Sequence, residues 1–287
     1  MRGPVLSAMA ARRPDGVIVD RVKPGQPWTT GGLRKIPVVR GVIVLGQSLI
    51  EGFDALQWSS NIATGEETDE KTSRITQIVS ITLSVVIMIG VFFAAPALLS
   101  GVLGGIAPDF VVHLAEGVIR ATFLLLYLVL IGRIPEVREV FAYHGAEHKT
   151  IHAYEARVPL EIDEIQRFSP AHPRCGTSFL FTVMIASLIV FSIAGQTSLE
   201  GRLISRVLLL PLVIGISYEF LRFAAAHRDA AWAEPLTIPG LWLQRFTTRE
   251  PRGDQVEVAL HAFNKLREAE VAAPPPPSGT TDVEVNA

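Results

Sequence analysis

The run YHGAEHKTIH, Tyr143 to His152, sets three histidines at i, i+4 and i+8 and a glutamate directly before the middle one. On a helix such residues stand one turn apart and drift about 40° per step. His144 and His148 therefore have the separation that lets two imidazoles chelate one ion. His-Gly-Ala-Glu-His also matches H-x-x-E-H, a reversed zinc-peptidase motif in which the glutamate, here Glu147, is the base that activates water. Two histidines do not complete a site, because catalytic zinc takes three protein ligands and structural zinc usually four. A second cluster, His172-Pro173-Arg174-Cys175, has the His-x2-Cys spacing of a chelating turn, and Pro173 stops it from continuing as a helix. The candidate metal ligands are thus His144, His148, His172 and Cys175, with Glu147 catalytic and Glu155, Asp163 and Glu164 as weaker alternatives. Against this stands a plainer reading: a surface helix that happens to carry His and Glu, and a cysteine that serves as a small buried hydrophobe. His152 fits an exposed or hydrogen-bonded role.

The elements that must position these residues are largely apolar. Of 287 residues 49% are hydrophobic and 19% charged, more apolar content than a soluble core of this size needs. A helix needs roughly 20 residues to cross a hydrocarbon core. Four segments meet or approach that length: Ile75 to Leu99, Val111 to Ile131, Thr177 to Ala194, and Val207 to Ala226. Lys and Arg number ten in residues 1–74, six in 132–176 and seven in 222–287, against none in 100–110 and two in 195–206. Positive flanks stay cytoplasmic, so four crossings place both termini and the 132–176 loop, with its histidines, in the cytoplasm of a bacterial plasma membrane. The first 30 residues lack the pattern of a cleaved signal peptide. The single cysteine, Cys175, excludes an internal disulfide and agrees with a reducing compartment. No basic block resembles a nucleic-acid patch, so the expected partner is membrane lipid.

Around this core the sequence divides further. Two short strands about a Pro-Asp-Gly turn (residues 5–22) and a connector make a cytoplasmic β element over 1–40. Residues 41–63 carry Gln47, Glu51 and Asp54 on one helical face and read as an interfacial amphipathic helix. The four-helix membrane domain spans 75–226, a cytoplasmic segment with a short helix at 255–268 occupies 227–270, and the proline-rich tail 271–287 reads as disordered. The fold class is mainly α, polytopic, with a small N-terminal β element. Within the crossings, Glu116 and Arg120 suit a structural ion pair, with His113 on the same face. Glu219, nearer the cytoplasmic end, is a candidate contributor to a site.

The runs YHGAEHKTIHAYE, HPRCGTSFLF, YEFLRFAA and PGLWLQRFTTREP, taken in order, resemble the YqhQ-like family of bacterial membrane proteins, over about Met1 to Ala262. The resemblance implies an integral membrane protein of a group described as predicted metal-dependent enzymes, and by position it singles out His144, Glu147, His148, His172 and Cys175. Members of that family usually carry a glycine-rich stretch similar to GGQAVIEGV before the segment that here begins at Met1, so an upstream start is expected. Two functions follow. One is a zinc-dependent hydrolase at the cytoplasmic membrane face, acting on a peptide bond or a lipid-linked ester. The other is a non-catalytic membrane protein whose His/Glu/Cys set is a structural or sensing metal site or a hydrogen-bonded network. Transport through Glu116 and Arg120 lacks the paired, interrupted helices of repeat-built carriers.

Overall fold

The computed structural model describes residues 1–3, 6–24, 36–65, 70–103, 106–173, 175–195, 198–227, 230 and 234–272. The connector through residue 35, Arg174 and the tail from residue 273 lie outside these residues. Strands β1 (Leu6–Arg12) and β2 (Ile18–Pro24) form an antiparallel hairpin with Arg12 opposite Ile18 and Leu6 opposite Pro24. Its turn is closed by Arg13 N–H and Val17 C=O at 2.9 Å, by the Asp15 carboxylate accepting from Val17 N–H at 3.1 Å, and by Gly16 at φ 87°, where a Cβ would be strained. The predicted β element is therefore present.

Helix α1 (Val39–Thr64) follows, then α2 (Glu70–Ile89), which passes through one π-helical turn (Gly90–Ala94) into α3 (Ala95–Gly101). Next come α4 (Asp109–Ile131), α5 (Pro135–Glu155), the single turn α6 (Ile162–Gln166), α7 (Ser178–Ala194), α8 (Leu199–Ala226), α9 (Glu234–Thr247) and α10 (Gly253–Ala272). Among the described residues three stretches are long and apolar enough to cross a membrane: Ile75–Gly101, Asp109–Ile131 and Leu199–Ala226. Four were expected. The remaining one, α7, is apolar but shorter at 17 residues, because Gly176 and Thr177 form a turn before it begins.

Among the described residues two buried apolar clusters stand out. In the first, Phe93, Ala186, Phe191 and Val213 join the π-helical turn, α7 and α8, while Ile78, Val79, Leu83 and Val86 of α2 are exposed. So much contiguous exposed apolar surface suits a hydrocarbon solvent. In the second, Ala146 and Ala153 of α5 pack with Ile165 of α6 and Val256 and Ala259 of α10. The hairpin lies across α10, fixed by Arg12 to Glu257 at 2.7 Å and His261 to Asp20 at 2.8 Å.

The polar stripe of α1 has a structural use. Gln47 is buried and donates to Glu51 at 2.9 Å, Glu51 lies 3.3 Å from Arg2, and Asp54 pairs with Lys23, so this face receives the N-terminal β element. Glu219 is paired toward the start of α1. Arg40 holds it through Nε at 2.6 Å and a second guanidinium contact, and Val38 N–H adds a bond at 3.2 Å. Helix α8 also starts earlier than the predicted Val207, so Arg202 and Arg206 belong to its first turns.

Candidate metal centre

Helix α5 starts where Pro135 occupies its first turn, and it is buried over Ala142, Gly145, Ala146 and His148 to Ile151. A helix so enclosed presents its histidines to protein. Gly145 allows the closest approach: a Cβ there would fall 2.1 Å from the Arg249 carbonyl oxygen. The chain after α9 thus lies flat on α5, with Arg249 N–H donating to Phe141 C=O at 2.9 Å.

That contact delivers the Thr247 carbonyl to His144, whose Nδ1 lies 2.9 Å from it. His148 Nδ1 lies 2.7 Å from the Pro170 carbonyl. A carbonyl oxygen only accepts, so both Nδ1 atoms carry protons and both Nε2 atoms are left for another partner. His144 Nε2 is 3.3 Å from Cys175 Sγ, and one ligand atom each from His144, His148 and Cys175 lies within 4.8 Å of the others. Zinc bonds of about 2.0 Å to nitrogen and 2.3 Å to sulfur at a tetrahedral angle put N and S about 3.5 Å apart. The cluster could hold a metal ion, and the two carbonyls stand where the outer partners of ligating histidines fix ring orientation.

The sulfur is prepared as a thiolate. Burial pushes the Cys175 thiol up, but hydrogen bonds and charge from His144 and His148 outweigh it and hold the group at about 5. Thr177 adds its hydroxyl at 3.3 Å and its N–H at 3.5 Å. Burial likewise pushes His144 down, and the neighbouring Cys175 thiolate reverses this, leaving it raised. Because Cys175 is the sole cysteine, thiolate absorbance of metal-free protein reports it cleanly. The signal is expected to be full at pH 7 and to be lost as pH falls through about 5. In His144→Ala the midpoint should move up toward the ordinary value of 9.0. A wild-type midpoint near that ordinary value would refute the thiolate.

The other predicted residues stand around this triad. His172 is buried, its ring 5.8 Å from that of His148 and 4.3 Å from that of His152, and its Nε2 is 3.5 Å from Glu155. Burial, with His152 beside it, pushes His172 down to about 4, so it is neutral at pH 7. Glu147 points elsewhere, its carboxylate 3.5 Å from the Met1 amino group. Burial pushes that carboxyl up, but the Met1 amino group, His144 and His148 more than offset this and keep it ionised. His152 donates from Nε2 to Ala171 C=O at 2.9 Å and stacks on Phe168, tying the His172 loop to α5.

Residues that the motifs do not disclose complete the frame. Gln244, fully buried on α9, clamps the His172 backbone, accepting from its N–H and donating to its C=O, both at 2.8 Å. Its only signal in the sequence is an amide among the apolar residues of LWLQRF. Thr247 and Pro170 act through carbonyls, which residue type does not reveal. Beside the frame runs a groove of about 790 Å³, lined by His152, Pro170, Pro173, Trp242, Arg245 and Arg249 among others.

The chain is therefore a mainly helical protein with membrane-like helices and an imidazole–thiolate cluster at the start of α7. It belongs to the family described as "Protein of unknown function (DUF1385)", which it matches over residues 36–269. It is also 33% identical over 247 residues to "Uncharacterized protein YqhQ" of Bacillus subtilis (strain 168), covering 82% of this chain and 78% of that protein. No solved structure matches it.

Proposed function

We propose that this is an integral membrane protein that binds one zinc ion through His144, His148 and Cys175 at the cytoplasmic face of the bacterial plasma membrane. The observation that carries this reading is the pair of Nδ1–H bonds to the Thr247 and Pro170 carbonyls, which turns both Nε2 atoms to the Cys175 thiolate. Thiolate and imidazole together select zinc over magnesium or calcium. In support of four crossings, α7 at 17 residues is about 26 Å long and packs between α4 and α8. The basic flanks of the 132–176 segment support the orientation.

Three protein ligands and an open fourth position are the pattern of a catalytic zinc, and the ion would supply Lewis acidity to a hydrolysis. In that role Glu147, ionised and one residue from a ligand, would turn from the Met1 amino group to accept a proton from water. A second reading, a closed structural or sensing site, draws on the His148 to His172 ring separation of 5.8 Å, from which His172 becomes a fourth ligand after a small shift.

Metal content of protein purified in detergent without chelators tests both, with one zinc per chain expected. Absence of stoichiometric metal sinks both versions. Cobalt substitution separates them: added azide perturbs the visible spectrum of an open site and leaves a closed one unchanged. Orientation has its own test in Cys175→Ser protein. Impermeant thiol reagents outside intact cells are expected to label Leu103→Cys and not Leu160→Cys, and labelling at 160 would reverse the topology.

A further inference from the structure

A second polar cluster lies where α3, α4, α7 and α8 meet. Along α4, Glu116 stands about 22 Å from the end that leads into α5, so this cluster is remote from the metal centre. Arg120, Arg202, Arg206, Glu116 and His113 are all buried there, exposed by 6% or less. Guanidinium groups remain charged in proteins. Among the described residues three cations and one carboxylate are buried together here, an excess of positive charge that is costly in an apolar interior.

The bonds show which cation is least satisfied among the described residues. Arg206 reaches Glu116 at 2.6 and 2.8 Å, and Arg120 reaches it at 2.7 Å. Arg120 also donates to the Phe92 carbonyl at 2.8 Å and to Ser187 at 3.0 Å. Both cations lie over the Phe191 ring. Arg202, 3% exposed, has one side-chain bond, to Ser100 Oγ at 3.2 Å, and its Nε has no partner among the described residues. Neither has Nδ1 of His113, which lies within electrostatic reach of Arg202 and Arg206. Room is kept for the guanidinium: a Cβ on Gly101 would sit 2.6 Å from Arg202 Nη2. The carboxylates that begin these helices, Asp109 and Glu200, are exposed.

The geometry points to an anion site at this end of the bundle, in which Arg202, His113 and Ser100 hold a phosphate-type oxyanion. Its source is either free phosphate or the headgroup of an anionic lipid, which share this chemistry. Arg202 is three residues into α8, about 4.5 Å along the helix, a depth that a headgroup reaches. The site is independent of the metal reading.

The thermal transition of the purified protein, measured in neutral detergent, tests this. It is followed against sodium phosphate, with sodium chloride at matched ionic strength, and against mixed micelles with phosphatidylglycerol or phosphatidylcholine. Phosphate or phosphatidylglycerol is expected to raise the transition. A response to phosphate assigns a free anion, and a response to phosphatidylglycerol alone assigns a lipid headgroup. Arg202→Gln should weaken the apparent affinity roughly 10- to 100-fold, the worth of a charge-assisted hydrogen bond. Arg202→Lys should recover part of it. If Arg202→Gln does not fold, His113→Ala gives the same comparison. A wild-type transition indifferent to both probes, or variants that respond as wild type does, would overturn the site.

Discussion

His148→Ala is expected to come out of purification without metal, and Cys175→Ser with little, while Glu147→Gln retains a full complement. In the proposed site the first two each remove one of three ligands, and two ligands would not hold zinc against buffer. The loss should exceed the roughly 10- to 100-fold that removing an outer partner costs. Cys175→Ser also replaces a thiolate, held at about 5 by its two imidazoles, with a hydroxyl that stays protonated. Glu147 contributes no ligand, so its amide variant serves as the control, and the hydrolase reading requires that it keep zinc and lose activity. Metal content that fell equally in all three would mean that α5 as a whole had shifted and that the triad is not the site.

The membrane-like domain carries the other large effect. Glu116→Ala should lower the thermal transition in detergent by roughly 6–20 °C, the equivalent of about 3–5 kcal/mol for removing one partner of a buried ion pair. The carboxylate accepts from two guanidiniums at once, so its loss strands both Arg120 and Arg206 beside the Phe191 ring. The double variant Glu116→Ala, Arg206→Met should cost less than the two single changes summed, because the second removes a charge that the first left unpaired. An unchanged transition for Glu116→Ala would show that water reaches these groups.

Local order in the chain discloses much of this fold. The hairpin follows from its Pro-Asp-Gly turn, and α4 and α5 follow from an apolar run and from a proline start. His144, His148 and Cys175 converge even though 31 positions separate the first from the last, because Pro173 and the turn after it fold the loop back on α5. Spacing did not reveal which half of His-x2-Cys would meet the pair, since that depends on Gln244, a residue 72 positions further on that grips the His172 backbone. Arg202 and Arg206 look in sequence like the flank of a span. Their burial becomes visible only when Glu116 and Ser100, from other helices, are set beside them. The pairing of Glu219 is hidden for the same reason, its partner Arg40 being 179 positions away.

The π-helical turn at Gly90–Ala94 sets the angular phase of a whole span. An α-helix advances about 100° per residue, so the one extra residue of such a turn rotates everything after it by about that angle. Before the turn the span shows Ile78, Val79, Leu83 and Val86 outward. After it, Pro96, Ala97 and Ser100 point inward, and Ser100 meets Arg202. Winding these same residues as an unbroken α-helix would swing that serine away, whereas deleting one residue of the turn would leave it in place, so the two halves of this span behave as separately indexed rods joined by a one-residue gear.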